Sequence, residues 1–163
     1  MPDLEVPVLI VGGSLVGMST ALLLGHHGVR ALAVEHHRGT AIHPRAALIN
    51  QRTMEILRSV GIERMVHEKS GEQFDQDGAI MAVETLAGKE LAWYIANLNE
   101  GVRDVSPCTR VFITQSVLEP LLQKRAAELG AELRFATRMT SFEQDADGVT
   151  AVIEDRDTGR KQT

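Results

Sequence analysis

Cysteine is nearly absent: Cys108 is the single one in 163 residues. That excludes an internal disulfide framework and suits a reducing compartment, so a cytoplasmic location is the expectation. Basic clusters are missing as well. Lys and Arg are scattered, no basic run exceeds Arg160–Lys161, and the formal net charge is −5. Nucleic-acid binders usually carry a basic patch or stripe, so that class is set aside. The apolar stretch from Val8 to Leu24 is interrupted by Gly12, Gly13, Ser14, Gly17, Ser19 and Thr20, which argues against a membrane span. Asp3 and Glu5 stand where a secretory signal is basic, so no such leader is expected. Internal repeats and low-complexity segments are also lacking.

What is present is material for a core. Apolar residues make up 44% of the chain, and a domain of this size buries roughly 70% of its unfolded surface. The order of patterns is strand, helix, strand, loop, helix, then a less regular stretch from Glu68 to Thr109, then helix, strand and hairpin. That alternation predicts an α/β fold, with the middle stretch, about residues 68–108, as an insertion containing β structure.

The most informative segment is N-terminal. Val6 to Val11 is a short apolar run of the kind found in strands buried on both faces of a parallel sheet. It ends at Gly12-Gly13-Ser14-Leu15-Val16-Gly17, and a helical pattern follows through Met18, Ala21, Leu22 and Leu24, closed by Gly28. A second strand, Ala31 to Val34, runs into Glu35. Gly12 supplies the backbone angles of a strand-to-helix turn, and Gly17 lets the helix pack close to the sheet. The helix N-terminus then offers unpaired N–H groups and partial positive charge to a pyrophosphate. Glu35, eighteen residues after Gly17, stands where a carboxylate accepts hydrogen bonds from a ribose diol. Ser14 occupies the place of the middle glycine of G-x-G-x-x-G. Its β-carbon crowds a pyrophosphate, while its hydroxyl can donate a hydrogen bond in return. The plainer alternative is a glycine-rich turn that binds nothing, with Glu35 an ordinary strand-end carboxylate. The motif between strand and helix, with its acidic residue in place, favours dinucleotide binding.

NAD and FAD share this fingerprint, so the choice rests on residues further along. Ile56, Leu57 and Val60 give the helix beginning near Arg52 an apolar face, with Gly61 as its cap. A long helix follows in Thr114–Gly130, its buried face marked by Leu118, Leu121, Leu122, Ala126 and Leu129. Ser116 and Glu119 have capping-box spacing, and Pro120 requires the helix to start close by. Taken together, Val8–Gly17, Gly28–Glu35, Pro44-Arg45-Ala46, Arg52–Arg58, Gln115 with Leu118-Glu119, Gly130–Phe135 and Thr140–Ile153 resemble the FAD-dependent aromatic hydroxylases of the para-hydroxybenzoate hydroxylase type. The likeness is strongest to the branch that acts on aromatic polyketides, and is loose at residues 68–108.

The resemblance implies a Rossmann-type FAD-binding domain, incomplete in this chain, in an enzyme that uses NAD(P)H and O₂ to hydroxylate a phenolic or polyketide ring. It assigns the FAD pyrophosphate region to Arg45, which taken alone reads as an exposed loop arginine. It assigns the cofactor's phosphate–ribitol portion to Gln115, taken alone a polar helix-start residue. His36, following Glu35, joins Gly12, Gly13, Ser14, Leu15, Val16, Gly17, Glu35, Arg45 and Gln115 in the expected cofactor set. No catalytic side chain is assigned. The family's later cofactor motifs do not appear before Thr163, so the chain reads as the N-terminal part of a hydroxylase, expected to retain FAD poorly. Self-association through an unpaired sheet edge is expected. Two other readings stay open: a non-catalytic nucleotide-binding module or half of a split enzyme, and another FAD-dependent oxidoreductase.

Four further expectations complete the reading. His26–His27 and His36–His37 are not a metal site, because sequence neighbours on a helix or strand do not face one another and no carboxylate completes a set. Trp93 and Tyr94 are placed in a core in preference to a substrate cavity. Cys108 is taken as inert. Strands Val6–Val11, Ala31–Glu35 and Glu132–Phe135 are expected to form a parallel core with the first one central.

Overall fold

A βαβ unit leads the chain; its second strand is buried throughout as its apolar run predicted, whereas the first covers Val8–Val11 of the predicted Val6–Val11 and is only half-buried, with Val11 exposed. The computed structural model describes residues 3–43 and 45–163. β1 (Val8–Val11) leads through the glycine turn into α1 (Leu15–His26), and β2 (Ala31–Val34) returns parallel to β1, with Val8 opposite Ala31 and Val11 opposite Val34. Every residue of β2 is buried, as a strand covered on both faces requires. Gly28 ends α1 with φ of +75°, the left-handed conformation of a glycine cap.

The chain divides into two compact units, Met1–His43 with Leu118–Thr163, and Pro44–Val117. In the first, β7 (Glu132–Arg134) pairs parallel with β2, giving the order β1-β2-β7. The central strand is therefore β2, not β1 as expected. A βαβ unit makes its two strands neighbours but does not dictate which side a third strand joins. Here it joins on the far side of β2 and, among the described residues, leaves the outer edge of β1 unpaired within this sheet. β8 (Thr137–Gln144) and β9 (Val149–Asp155) form the expected hairpin, extended by β10 (Lys161–Gln162). Leu32, Val34 and Ile153 pack in one cluster with Leu9 and Met139.

α4 (Gln115–Glu128) starts at Gln115 and buries Leu118, Leu122 and Ala126. Leu121 and Leu129 are only half-buried, whereas Glu119 is fully buried. Gly25 brings α1 against the residue that follows α4: a β-carbon there would lie 2.9 Å from the Leu129 carbonyl oxygen.

In the second unit, α2 (Gln51–Ser59) is capped by the Asn50 side chain, which accepts from the Thr53 N–H. Gly61 follows with φ of +83°. α3 (Glu63–Gly71), β3 (Leu48–Ile49) paired with β6 (Val111–Phe112), and the hairpin of β4 (Ile80–Val83) and β5 (Glu90–Ile95) complete it. Trp93 and Tyr94 lie on β5 and are 55% and 69% exposed, which corrects their placement in a core. The Trp93 indole N–H donates to Glu90, three residues away. Cys108 is buried, with its thiol donating to Glu63.

Candidate functional site

The glycine turn has little room for side chains. Gly12 adopts φ of +110°, and its N–H donates to the Val34 carbonyl, tying the end of β1 to the end of β2. A β-carbon on Gly17 would lie 1.8 Å from the Gly12 carbonyl oxygen. That spacing is impossible without moving backbone, so the first turn of α1 sits where it does because residue 17 has no side chain. A β-carbon on Gly13 would lie 2.6 Å from Glu35 Cβ, so Gly13 admits the Glu35 stem directly beneath the turn.

Glu35 is buried, and its two oxygens divide their work. Oε2 accepts the Gly13 N–H at 2.6 Å, and Oε1 accepts the His37 N–H at 2.8 Å. His37 Nδ1 lies 2.7 Å and His36 Nδ1 2.9 Å from Oε1. Burial, the largest single influence, pushes the carboxyl up. The His37 and Gly13 N–H groups, the His37 ring and the charge of His36 together outweigh it and hold Glu35 below its ordinary value. The result is a fixed carboxylate beside the N-terminus of α1.

His36 and His37 converge, contrary to expectation. Their rings are 3.6 Å apart, and Glu35, His36 and His37 bring three ligating atoms within 4.8 Å of one another. The rule that neighbours diverge holds for helices and strands; residues 36–40 are a run of bends that frees both rings to turn the same way. The missing carboxylate is also present, as Glu35 itself. His37, considered in the sequence only as half of a histidine pair and left out of the expected cofactor set, is thus a main partner of Glu35.

Ser14 has a second partner in the structure. It is the N-cap residue of α1, but its side chain makes no capping hydrogen bond. Its hydroxyl donates to Glu119 Oε1 at 2.5 Å, and Glu119 Oε2 accepts the Ala41 N–H at 2.7 Å. Glu119 therefore does not close a capping box with Ser116, whose hydroxyl meets that of Thr114. Because α4 begins at Gln115, Ser116 already lies inside the helix. Leu15 and Val16 form the first turn of α1, with Val16 largely exposed.

The structure brings Gly12, Gly13, Ser14, Leu15, Val16, Gly17, Glu35 and His36 together in the first unit. Arg45 and Gln115 belong to the second, where the Gln115 N–H donates to the Arg45 carbonyl at 3.3 Å and Arg45 is exposed. Pro44 lies outside the described residues. Sequence spacing held no sign of Glu119 as a partner of the turn, since Ser14 is 105 residues distant.

Comparison with known proteins agrees with this geometry. The chain is 56% identical over 162 residues to a 4-methyl-5-nitrocatechol 5-monooxygenase of Burkholderia sp, covering 99% of the chain and 30% of that protein. It is 40% identical over 163 residues to the aklavinone 12-hydroxylase DnrF of Streptomyces peucetius, covering 98% of the chain and 33% of that protein. Among solved structures, the flavin-dependent monooxygenase PieE, in complex with FAD and substrate, matches with a TM-score of 0.86 and 42% identity. That match covers 99% of the chain and 29% of PieE. The chain thus spans about a third of the length of the relatives it matches. Residues 5–163 match the FAD binding domain family, and with the strand, the glycine turn and the buried Glu35 in place, the chain belongs to that family.

Proposed function

We propose that the first unit holds the adenosine and pyrophosphate end of FAD, and that the chain serves a flavin-dependent monooxygenase. That enzyme hydroxylates an electron-rich aromatic ring with NAD(P)H and O₂. The observation that carries the reading is the Glu35 carboxylate, locked by the Gly13 N–H against the turn that opens α1. In this reading Glu35 exchanges one of its present hydrogen bonds for the ribose diol. The first-turn N–H groups from Leu15 to Gly17, which no helix can satisfy internally, face the phosphates. Gly12 and Gly17 keep β1 and α1 close enough for that approach, and His36 flanks the ribose beside Glu35.

Arg45 and Gln115 are proposed to contribute the phosphate-side charge and the polar contact toward the ribityl chain. The residues fit the group on two counts: the space beside Gly12 is open, with nothing within 4 Å of a β-carbon position there, and Glu35 is a buried carboxylate already stripped of most water. Bound flavin supplies the redox and oxygen chemistry; this chain's residues bind, orient and exclude water. The fixed charge on Glu35 accepts a free 2′-hydroxyl and repels a 2′-phosphate, favouring FAD over NADP at this turn.

The aromatic substrate is proposed from the relatives' names and from the exposed Trp93 and Tyr94 on β5, with the inserted segment 68–108 proposed to face the substrate side. Among the described residues no helix is long and apolar enough to cross a membrane, and a cytoplasmic setting is proposed with it. Self-association is proposed at the outer edge of β1, beside an open cleft of about 970 Å³ lined by Leu9, Met139, Phe142 and Val149, because an unpaired strand edge invites another strand. The test of function is FAD titration of the chain against a Glu35→Ala variant, with NAD(P)H consumption on phenolic substrates measured in the full-length enzyme. Equal FAD affinity in the variant removes Glu35 from the site.

A further inference from the structure

Glu119 is a fully buried carboxylate that the proposed cofactor grip leaves unused. Its Oε1 accepts the Ser14 hydroxyl of the glycine turn, and its Oε2 accepts the Ala41 N–H of the following loop. Both of its oxygens are thereby hydrogen-bonded.

Ser14 is in the ordinary position for a helix cap. It is the N-cap of α1, with extended backbone angles of −87° and −166°, the conformation from which serine normally accepts the N2 or N3 N–H. Those donors are Val16 and Gly17. Nothing in the backbone prevents the cap, yet the hydroxyl does not make it; it points to Glu119. A hydrogen bond to a carboxylate is stronger than a neutral cap, which decides the competition.

We propose that Glu119 is a positioning residue: it withholds the Ser14 hydroxyl from the N-terminus of α1, so that the Val16 and Gly17 N–H groups stay open to the phosphates of the cofactor. The proposal rests on the FAD reading for its purpose, though not for its geometry. It explains how the turn accommodates serine where the fingerprint has glycine. Without Glu119, Ser14 becomes a self-cap that competes with phosphate for the same donors.

The test measures amide hydrogen exchange at Val16 and Gly17 by NMR in the unliganded chain, alongside affinity for FAD and for inorganic pyrophosphate. Glu119→Met, which keeps bulk without an acceptor, frees Ser14 to cap. Exchange at those two amides slows and both affinities fall, each by about fivefold, the scale of one N-cap bond. In a Ser14→Gly background the same Met substitution changes neither readout, because no hydroxyl remains to move. That separates the role from the structural one through Ala41, which persists in both backgrounds. Unchanged exchange in Glu119→Met, or equal slowing in the Ser14→Gly background, overturns the proposal. Should Glu119→Met not fold, Ser14→Ala decides: exchange at Val16 and Gly17 matches the parent if the hydroxyl does not cap, and faster exchange refutes it. If the parent binds no FAD, the FAD reading falls while the exchange result still stands or fails by itself.

Discussion

Replacing Gly17 with alanine sets two effects of opposite sign against each other. Gly17 is inside α1, and its φ is not in the left-handed range. Helix propensity alone therefore rewards Ala by about 1 kcal/mol. Packing opposes it. The new β-carbon would lie 1.8 Å from the Gly12 carbonyl oxygen and 3.4 Å from Ile10 Cγ2. Real β-carbons essentially never come within 3.0 Å of a neighbour, so turn and helix have to separate by more than an ångström. The obstructing atom is backbone, and the Gly12 N–H is itself held by Val34 at 2.8 Å. Overpacking a well-packed core costs about 1–3 kcal/mol and occasionally more, and a backbone obstacle belongs at the upper end. A net loss of about 2 kcal/mol is expected, lowering the melting temperature by roughly 4–8 °C in a domain of this length. Gly71→Ala is the control. Nothing lies within 4 Å of its β-carbon position, so it should be neutral or stabilising by about 0.4–1 kcal/mol. Thermal unfolding of both variants decides the matter. A Gly17→Ala protein as stable as the parent would refute the close approach of α1 to β1.

Further outcomes follow from the same geometry. Glu35→Ala should weaken FAD by about 1–3 kcal/mol, the scale of a hydrogen bond to a charged group, as read by calorimetric titration. The depressed Glu35 carboxyl contributes stability that is fully present above its unfolded value and lost as pH falls through the lower folded one. Denaturant midpoints should therefore fall more steeply below pH 4.5, the ordinary value, in the parent than in Glu35→Ala; parallel profiles would deny the carboxylate its native hydrogen bonds. Burial and the neighbouring Glu63 push the Cys108 thiol up, so thiol reagents at pH 8 should modify it only on unfolding. Rapid modification of the native chain would show the thiol to be accessible.

The βαβ unit was legible because its signals are local. Continuous apolar strands, a glycine turn between them and an acidic residue at the end of β2 all fall within residues 6–35. The order of the sheet was not legible, since nothing in Glu132–Arg134 says which edge of the pair it joins. Two-residue strands such as β3 and β6 carry no period to read. α3 crosses the boundary drawn at residue 68 because its buried face amounts to Val66 and Ser70. Glu119 was hidden for a different reason. A carboxylate on an apolar helix face looks like an exposed interruption until its partners are known, and those partners, Ser14 and Ala41, come from remote parts of the chain. The convergence of His36 and His37 depends on a run of bends, where the side-chain periodicities of regular structure do not apply.

The central claim is that this chain grips the adenosine and pyrophosphate end of the cofactor, and competition calorimetry with fragments of FAD tests it most directly. ADP carries the ribose diol and pyrophosphate addressed by Glu35 and the N-terminus of α1; FMN carries the flavin ring and neither adenosine nor pyrophosphate. ADP should bind one equivalent and displace FAD, Glu35→Ala should weaken both, and FMN should neither bind nor compete. Binding of FMN with no measurable binding of ADP would contradict that claim.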